Sequence, residues 1–212
     1  MKPIVFSKDT HSLVKKYLSQ KVFKALEHQR TDSGFTLANA INSGLKNPDS
    51  AIGIYAGDAQ SYKTFSLIFD PVISEFHKSV KPLKHKSDLT QIELACLDPE
   101  NKYIKSTRIR VARNIKGFCF PCYMLLFERR KLEKKILSAL DSLTDSLKGS
   151  YYSLELDDKE KLSLLKTKNL GFQKGDRFQD AAGINSDFPK SRGVYLSFDE
   201  RLMVWINEED HL

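Results

Sequence analysis

The sequence predicts an α+β chain: a small all-helical N-terminal domain over residues 1–84, a linker over 85–102, and an incomplete antiparallel sheet flanked by helices over 103–212. Three observations carry this reading. Between residues 12 and 76 apolar side chains recur at three- and four-residue spacing, as on one face of a helix. Runs rich in β-branched and aromatic residues, bounded by turn formers, gather after residue 102. Residues 78–88 lie between these regions and are basic, proline-containing and poor in apolar side chains, as domain connections are.

Composition narrows the class. The 212 residues are 41% apolar, enough for a real core. A net charge of +7, from 34 basic and 27 acidic residues, could attract nucleotide, nucleic acid or an anionic membrane and does not choose among them. No apolar run approaches the roughly 20 residues of a membrane span. The N-terminal stretch breaks off too soon for a signal peptide. A cytoplasmic location without a membrane partner is therefore expected. Cys96, Cys119 and Cys122 cannot all pair within one chain, which fits reduced thiols. Cys119-Phe-Pro-Cys122 has C-x-x-C spacing, but a zinc site needs two more ligands and a redox motif should open a helix after a strand. Pro121 and its aromatic neighbours suggest a chain reversal instead.

Taken in order, residues 12–28 form an amphipathic helix on Leu13, Val14, Tyr17, Leu18, Val22 and Leu26, with Ser12 as cap. Asp32-Ser33-Gly34 is a turn. Thr36 caps a second helix on Leu37, Ala40, Ile41 and Leu45, which Pro48 stops. Residues 49–58 have the small side chains of a loop. This is either an ordinary connection tucking Ile52 and Ile54 into the core, or a loop whose backbone groups come close to a compact polar ligand. Residues 59–79 predict a longer helix with Tyr62, Phe65, Phe69, Val72, Ile73 and Phe76 as a core stripe, kinked or restarted at Asp70-Pro71.

The stretch Tyr103-Ile-Lys-Ser106-Thr-Arg108-Ile-Arg110-Val-Ala-Arg113 predicts a strand. Alternation would put Ser106, Arg108 and Arg110 on one face, with Thr107, Ile109 and Val111 on a core face. Two guanidinium forks on adjacent same-face positions suit a polyphosphate; a solvated outer strand face is the other reading. Residues 125–148 predict a helix on Leu132, Ile136, Leu140, Leu143 and Leu147, closed by Gly149. A short strand over 151–154, a helix over 157–168, a turn over 172–178 and a hairpin of 193–198 with 202–206 complete the chain. Its last residues carry three consecutive carboxylates. They are either a solvated acidic tail or a strand-end group that grips a cation or acts as a base.

Several of these strings resemble the phosphagen (ATP:guanidino) kinases, and within them the arginine kinases. Asp49-Ser-Ala-Ile-Gly-Ile-Tyr-Ala56 resembles the guanidino-specificity loop of the helical N-terminal domain. Lys102-Tyr-Ile-Lys-Ser-Thr-Arg-Ile-Arg110 resembles the first nucleotide-binding strand. Lys148-Gly-Ser-Tyr-Tyr152, Lys174-Gly-Asp-Arg-Phe178, Arg192-Gly193 and Val204-Trp-Ile-Asn-Glu-Glu-Asp-His-Leu212 follow in the family's order. The resemblance implies reversible transfer of the γ-phosphoryl of ATP, with Mg2+, to a guanidino nitrogen of L-arginine or a related compound. It makes 103–212 a partial catalytic domain. It implies that Ser106, Thr107, Arg108, Ile109 and Arg110 bind ATP, and that Ser50, Ala51, Ile52, Gly53, Ile54 and Tyr55 surround the amino-acid end of the substrate. Glu209 would hold and orient the guanidinium as the catalytic carboxylate, and Asp49 and Arg177 would join the two domains. No metal-ligating protein residue and no nucleic-acid partner are implied, and the family includes monomers and dimers.

The sequence departs from the family pattern at three places. Asn169 stands where the family has a nucleotide-contacting histidine, and Ala51 where arginine kinases commonly have glycine. The chain ends at Leu212, before the family's further ATP-binding arginines, its active-site cysteine and a second substrate-gripping glutamate, so a truncated chain is expected. The alternatives to an arginine kinase-like phosphotransferase are a nucleotide- or guanidino-binding remnant or regulatory pseudoenzyme without turnover and, more remotely, a basic nucleic-acid binder.

Overall fold

The computed structural model describes residues 4–78, 88, 90–93, 95–155, 163, 167 and 174–208. Five short helices make the N-terminal part: α1 Leu13–Tyr17, α2 Gln20–Leu26, α3 Leu37–Lys46, α4 Ser61–Thr64 and α5 Ser66–Phe76. Their apolar faces close one core of Val14, Phe23, Leu26, Phe35, Leu37, Ala40, Ile41, Ile54, Phe65, Ile68, Phe69 and Val72. After them come α6 Leu126–Leu140, a 3-10 turn at Asp145–Leu147, β1 Gly149–Ser153, α7 Arg177–Ala182, β2 Gly193–Ser197 and β3 Met203–Ile206. The strands form one antiparallel sheet in the order β1-β2-β3, with Tyr195 opposite Tyr151 on one side and Val204 on the other. The central strand β2 is buried along its whole length. The architecture is the expected α+β one.

Capping chemistry sets the helix starts. The Ser12 side chain accepts from the Lys15 N–H, and Thr36 forms a capping box with Asn39. The expected 12–28 helix is two helices, because Ser19 adopts extended geometry and caps α2 itself. The 59–79 helix likewise divides, at Phe65, whose ring is fully buried; Pro71 lies inside α5 and starts nothing. The 125–148 helix ends at Leu140. Ser142 Oγ donates to the Ala139 carbonyl at 2.7 Å and Asp145 has φ +52°, so the chain has already turned, and Gly149 opens β1 rather than closing a helix. The 172–178 turn is overtaken from Arg177 by α7, which Asp176 caps. Most of the 157–168 helix and of the 78–88 connection lies outside the described residues.

The largest correction concerns the arginine stretch. Residues 104–113 have no regular secondary structure, and Ile109 and Val111 are 88% and 72% exposed rather than buried on a core face. β-branched bulk favours a pleated, half-buried surface but does not supply the neighbouring strand that backbone donors need. Among the described residues this segment has no ladder partner. Its start is nonetheless fixed, since Asp98 accepts the N–H groups of Tyr103 and Ile104 at 2.6 and 2.7 Å.

Candidate functional site

The 49–56 loop is held on both sides by backbone groups. From the start of α1, Leu13 N–H donates to Ala51 O at 2.9 Å and Val14 N–H to Ile52 O at 3.0 Å. From α3, Gly44 N–H donates to Gly53 O at 3.2 Å, while Tyr55 N–H donates to Ala40 O at 2.9 Å. This approach requires glycine at both contact points. A Cβ on Gly44 would stand 2.6 Å from Gly53 O, and Gly53 itself has φ +79°. Of the loop's side chains Ile54 is buried in the core, as an ordinary connection would have it, and residues Ser50 through Ala56 line a cavity of about 580 Å3.

The far wall of that cavity is the aromatic stripe of α4 and α5. Phe65, Phe69 and Val72 are core as expected, but Tyr62 and Phe76 are 43% and 50% exposed and line the cavity together with Phe69, Val72 and Ile73. Phe120, Cys122 and Phe178 complete it from beyond the connection. Burial pushes the Cys122 thiol up to about 12, and its Sγ donates to Ala56 O at 3.0 Å. Cys119 and Cys122 are both free, and residues 121–123 form a turn, as the chain-reversal reading expects.

The two halves meet along α3 and α7. Asn42 Nδ2 donates to Ala181 O at 2.7 Å and Ser43 Oγ to Phe178 O at 2.9 Å, and beside them Arg177 pairs directly with Asp49. Both charged partners are more than half exposed, so this pair contributes about 0–1 kcal/mol and sets orientation more than stability.

Arg108 and Arg110 are brought together, though not by a strand. Their guanidinium carbons lie 5.7 and 5.2 Å from the centre of the Trp205 ring, on β3. Strand alternation sends Ile206 into the core and Trp205 to the opposite face, where the arginines lie over it. Arg110 Nη2 is also 3.5 Å from Glu208 Oε2. Directly after β3, Asn207 is buried at φ +58° and donates to the carbonyls of Arg129 and Ser191, fixing where the acidic run begins. Ser106, Thr107 and Ile109 are exposed beside the two arginines. Glu209 and Asn169 lie outside the described residues.

Sequence reasoning assigned no role to Trp205, Glu208, Asp176 or the buried Arg129 and Arg192. Arg129 had a signal, its spacing of three from Leu132 on the apolar stripe of α6. Arg192 donates to the carbonyls of Lys190, Ile184 and Ser186 and lies over Phe188, an internal brace with no spacing signal.

The chain matches two family profiles, "ATP:guanido phosphotransferase, N-terminal domain" over residues 8–74 and "ATP:guanido phosphotransferase, C-terminal catalytic domain" over residues 131–212. It is 46% identical over 205 residues to the arginine kinase of Anthopleura japonica, covering 95% of this chain and 28% of that protein. To the arginine kinase of Penaeus monodon it is 41% identical over 209 residues, covering 96% and 58%. A crystal structure of lombricine kinase superposes with TM-score 0.89 at 33% identity, over 96% of this chain and 57% of that one. The substrate-free duplicated taurocyamine kinase from Schistosoma mansoni superposes with TM-score 0.84 at 32% identity, over 97% and 30%. The chain belongs to the ATP:guanido phosphotransferase, or phosphagen kinase, family. It spans 58% or less of the length of these relatives. No helix of the described residues is long and apolar enough to cross a membrane.

Proposed function

We propose that the protein takes part in reversible transfer of the ATP γ-phosphoryl group to a guanidino nitrogen of L-arginine or a related guanidino compound. The observation that carries this reading is that Arg108 and Arg110 both lie against the Trp205 ring, with Glu208, where the acidic run starts, beside Arg110. Phosphoryl transfer asks a protein mainly for positioning and for compensation of charge on the phosphate oxygens. Two permanently charged forks, with the backbone N–H groups and hydroxyls of Ser106 and Thr107, make a donor set suited to a triphosphate. Mg2+ supplies further charge compensation and would arrive on the nucleotide phosphates, since magnesium keeps few protein ligands in such sites. The 50–55 loop would hold the far end of the guanidino compound, and Glu209 would orient its guanidinium. Asp49 and Arg177 would tie the loop to the nucleotide half. A cytoplasmic setting and a monomer or dimer accompany this reading.

L-Arginine is the preferred substrate on the strength of the arginine kinase relatives; those named for lombricine and taurocyamine keep other guanidino compounds in the class. A second reading is binding of nucleotide or guanidino compound without turnover. The openness of residues 104–113 favours it, because an arginine pair on an unpaired segment is less preorganised than one on a sheet. Calorimetric titration of the chain with MgATP and with L-arginine, repeated for Arg108→Ala and Arg110→Ala, tests the shared core of both readings. ATP binding that the substitutions weaken about tenfold or more supports it. ATP affinity indifferent to both substitutions contradicts it.

A further inference from the structure

The cavity beside the 50–55 loop carries a charge pattern that phosphoryl transfer alone does not require. Its walls are mostly apolar; among the described residues that line it the one carboxylate is Asp176, the one basic side chain is His77, and there is no lysine or arginine. Asp176 is fixed by its place in the chain. As N-cap of α7 its Oδ1 accepts the N–H groups of Phe178 and Gln179, both at 2.9 Å, and Oδ2 makes no hydrogen bond among the described residues. Its charge reaches the loop across the cavity. The Tyr55 phenol, already pushed up by burial, is pushed up further by the Asp176 carboxylate.

Such an inventory distinguishes ligands by the charge of their non-reacting end. An ammonium there gains a carboxylate partner and aromatic faces such as Tyr62, Phe120 and Phe178, against which cations are stabilised. An end bearing only a carboxylate or sulfonate meets the like charge of Asp176, and the one basic side chain among the described lining residues is His77.

We infer that Asp176 sets a charge requirement on the guanidino substrate, whose far end must carry an ammonium group, so that guanidino acids with a purely anionic far end are disfavoured. The inference rests on the proposed assignment of the 50–55 loop to the guanidino compound. It makes Asp176, on the second domain, a specificity determinant for a ligand gripped mainly by the first.

Titration calorimetry of the 212-residue chain with three ligands tests it: L-arginine, agmatine, which lacks the carboxylate, and 5-guanidinopentanoate, which lacks the α-amino group. The expected result is L-arginine bound about fivefold more tightly than 5-guanidinopentanoate, with a ratio near one in Asp176→Asn. Asparagine and serine are both good N-caps, so Asp176→Asn and Asp176→Ser keep the start of α7, and circular dichroism checks the fold. A ratio near one in the wild-type chain, or a ratio unchanged in both variants, overturns the role of Asp176 and leaves the loop assignment standing. Absence of binding by all three ligands overturns the loop assignment itself.

Discussion

Arg110 lies over Trp205, its guanidinium carbon 5.2 Å from the ring centre, with Arg108 beside it at 5.7 Å. A guanidinium over an indole face is worth about 0.5–2 kcal/mol, and here one ring serves two of them. On a segment without ladder hydrogen bonds the ring is a contact that the two arginines share, and Arg110 also reaches Glu208. Trp205→Leu should therefore weaken MgATP binding about tenfold, and Trp205→Phe, which keeps an aromatic face, about threefold. Because Trp205 is the single tryptophan, nucleotide binding should also change the intrinsic fluorescence of the wild-type chain. Equal affinity in wild type and Trp205→Leu would show that the ring does not position the arginines.

The strand expectation failed where it depended on something remote. Ile104, Thr107, Ile109 and Val111 have the right side chains, but a strand exists only where another strand answers its N–H and C=O groups, and no local pattern reports that. Ser12 and Thr36 as caps, and the 193–198 and 202–206 hairpin, were legible because the interactions that decide them span few residues. The pairing of Arg108 and Arg110 survived the loss of the strand. The ring they share, Trp205, lies nearly a hundred residues along the chain and was invisible to spacing. Gly53 was legible as a loop glycine, while the reason for it, the backbone of α3 pressed against it, was not.

Gly53→Ala should damage loop and fold together. An added Cβ would stand 2.8 Å from Val14 Cγ1 at a backbone φ of +79°. A loss of about 1–3 kcal/mol in urea unfolding is expected, with weaker L-arginine binding in whatever remains folded. An unchanged urea midpoint would mean that the loop rearranges freely, against the tight packing of α1, α3 and the loop.

Asp58 organises the start of α4. Burial alone would raise its carboxyl, but hydrogen bonds from Ser33, Thr31 and Ser61 outweigh that and hold it below the usual carboxylate range. A depressed folded value means that its stabilisation is present above the unfolded value of about 3.9 and fades as pH falls through the folded one. Asp58→Asn should lower stability by about 2 kcal/mol at pH 7. The gap between the variant and wild type should narrow below about pH 4, and urea midpoints at pH 7 and pH 3 give the comparison. A gap independent of pH would assign the effect to shape rather than charge.

Thiol labelling offers a check on the chain reversal. Cys96 is exposed, whereas burial raises Cys119 and lifts Cys122 to about 12, leaving little of the reactive thiolate at pH 8. Iodoacetamide followed by peptide mass spectrometry should find Cys96 modified first and Cys122 last. Early modification of Cys122 would contradict its packing against Ala56.

The proposed phosphoryl transfer requires the arginine pair to bind ATP phosphate and the 50–55 loop to hold the guanidino compound. The most direct measurement is phosphorus NMR of the folded 212-residue chain with MgATP and L-arginine, followed over hours. A phosphoarginine resonance should grow as the γ-phosphate of ATP declines, about 10²–10³-fold more slowly in Arg110→Ala. No phosphorus transferred to L-arginine or to any other guanidino compound would contradict it.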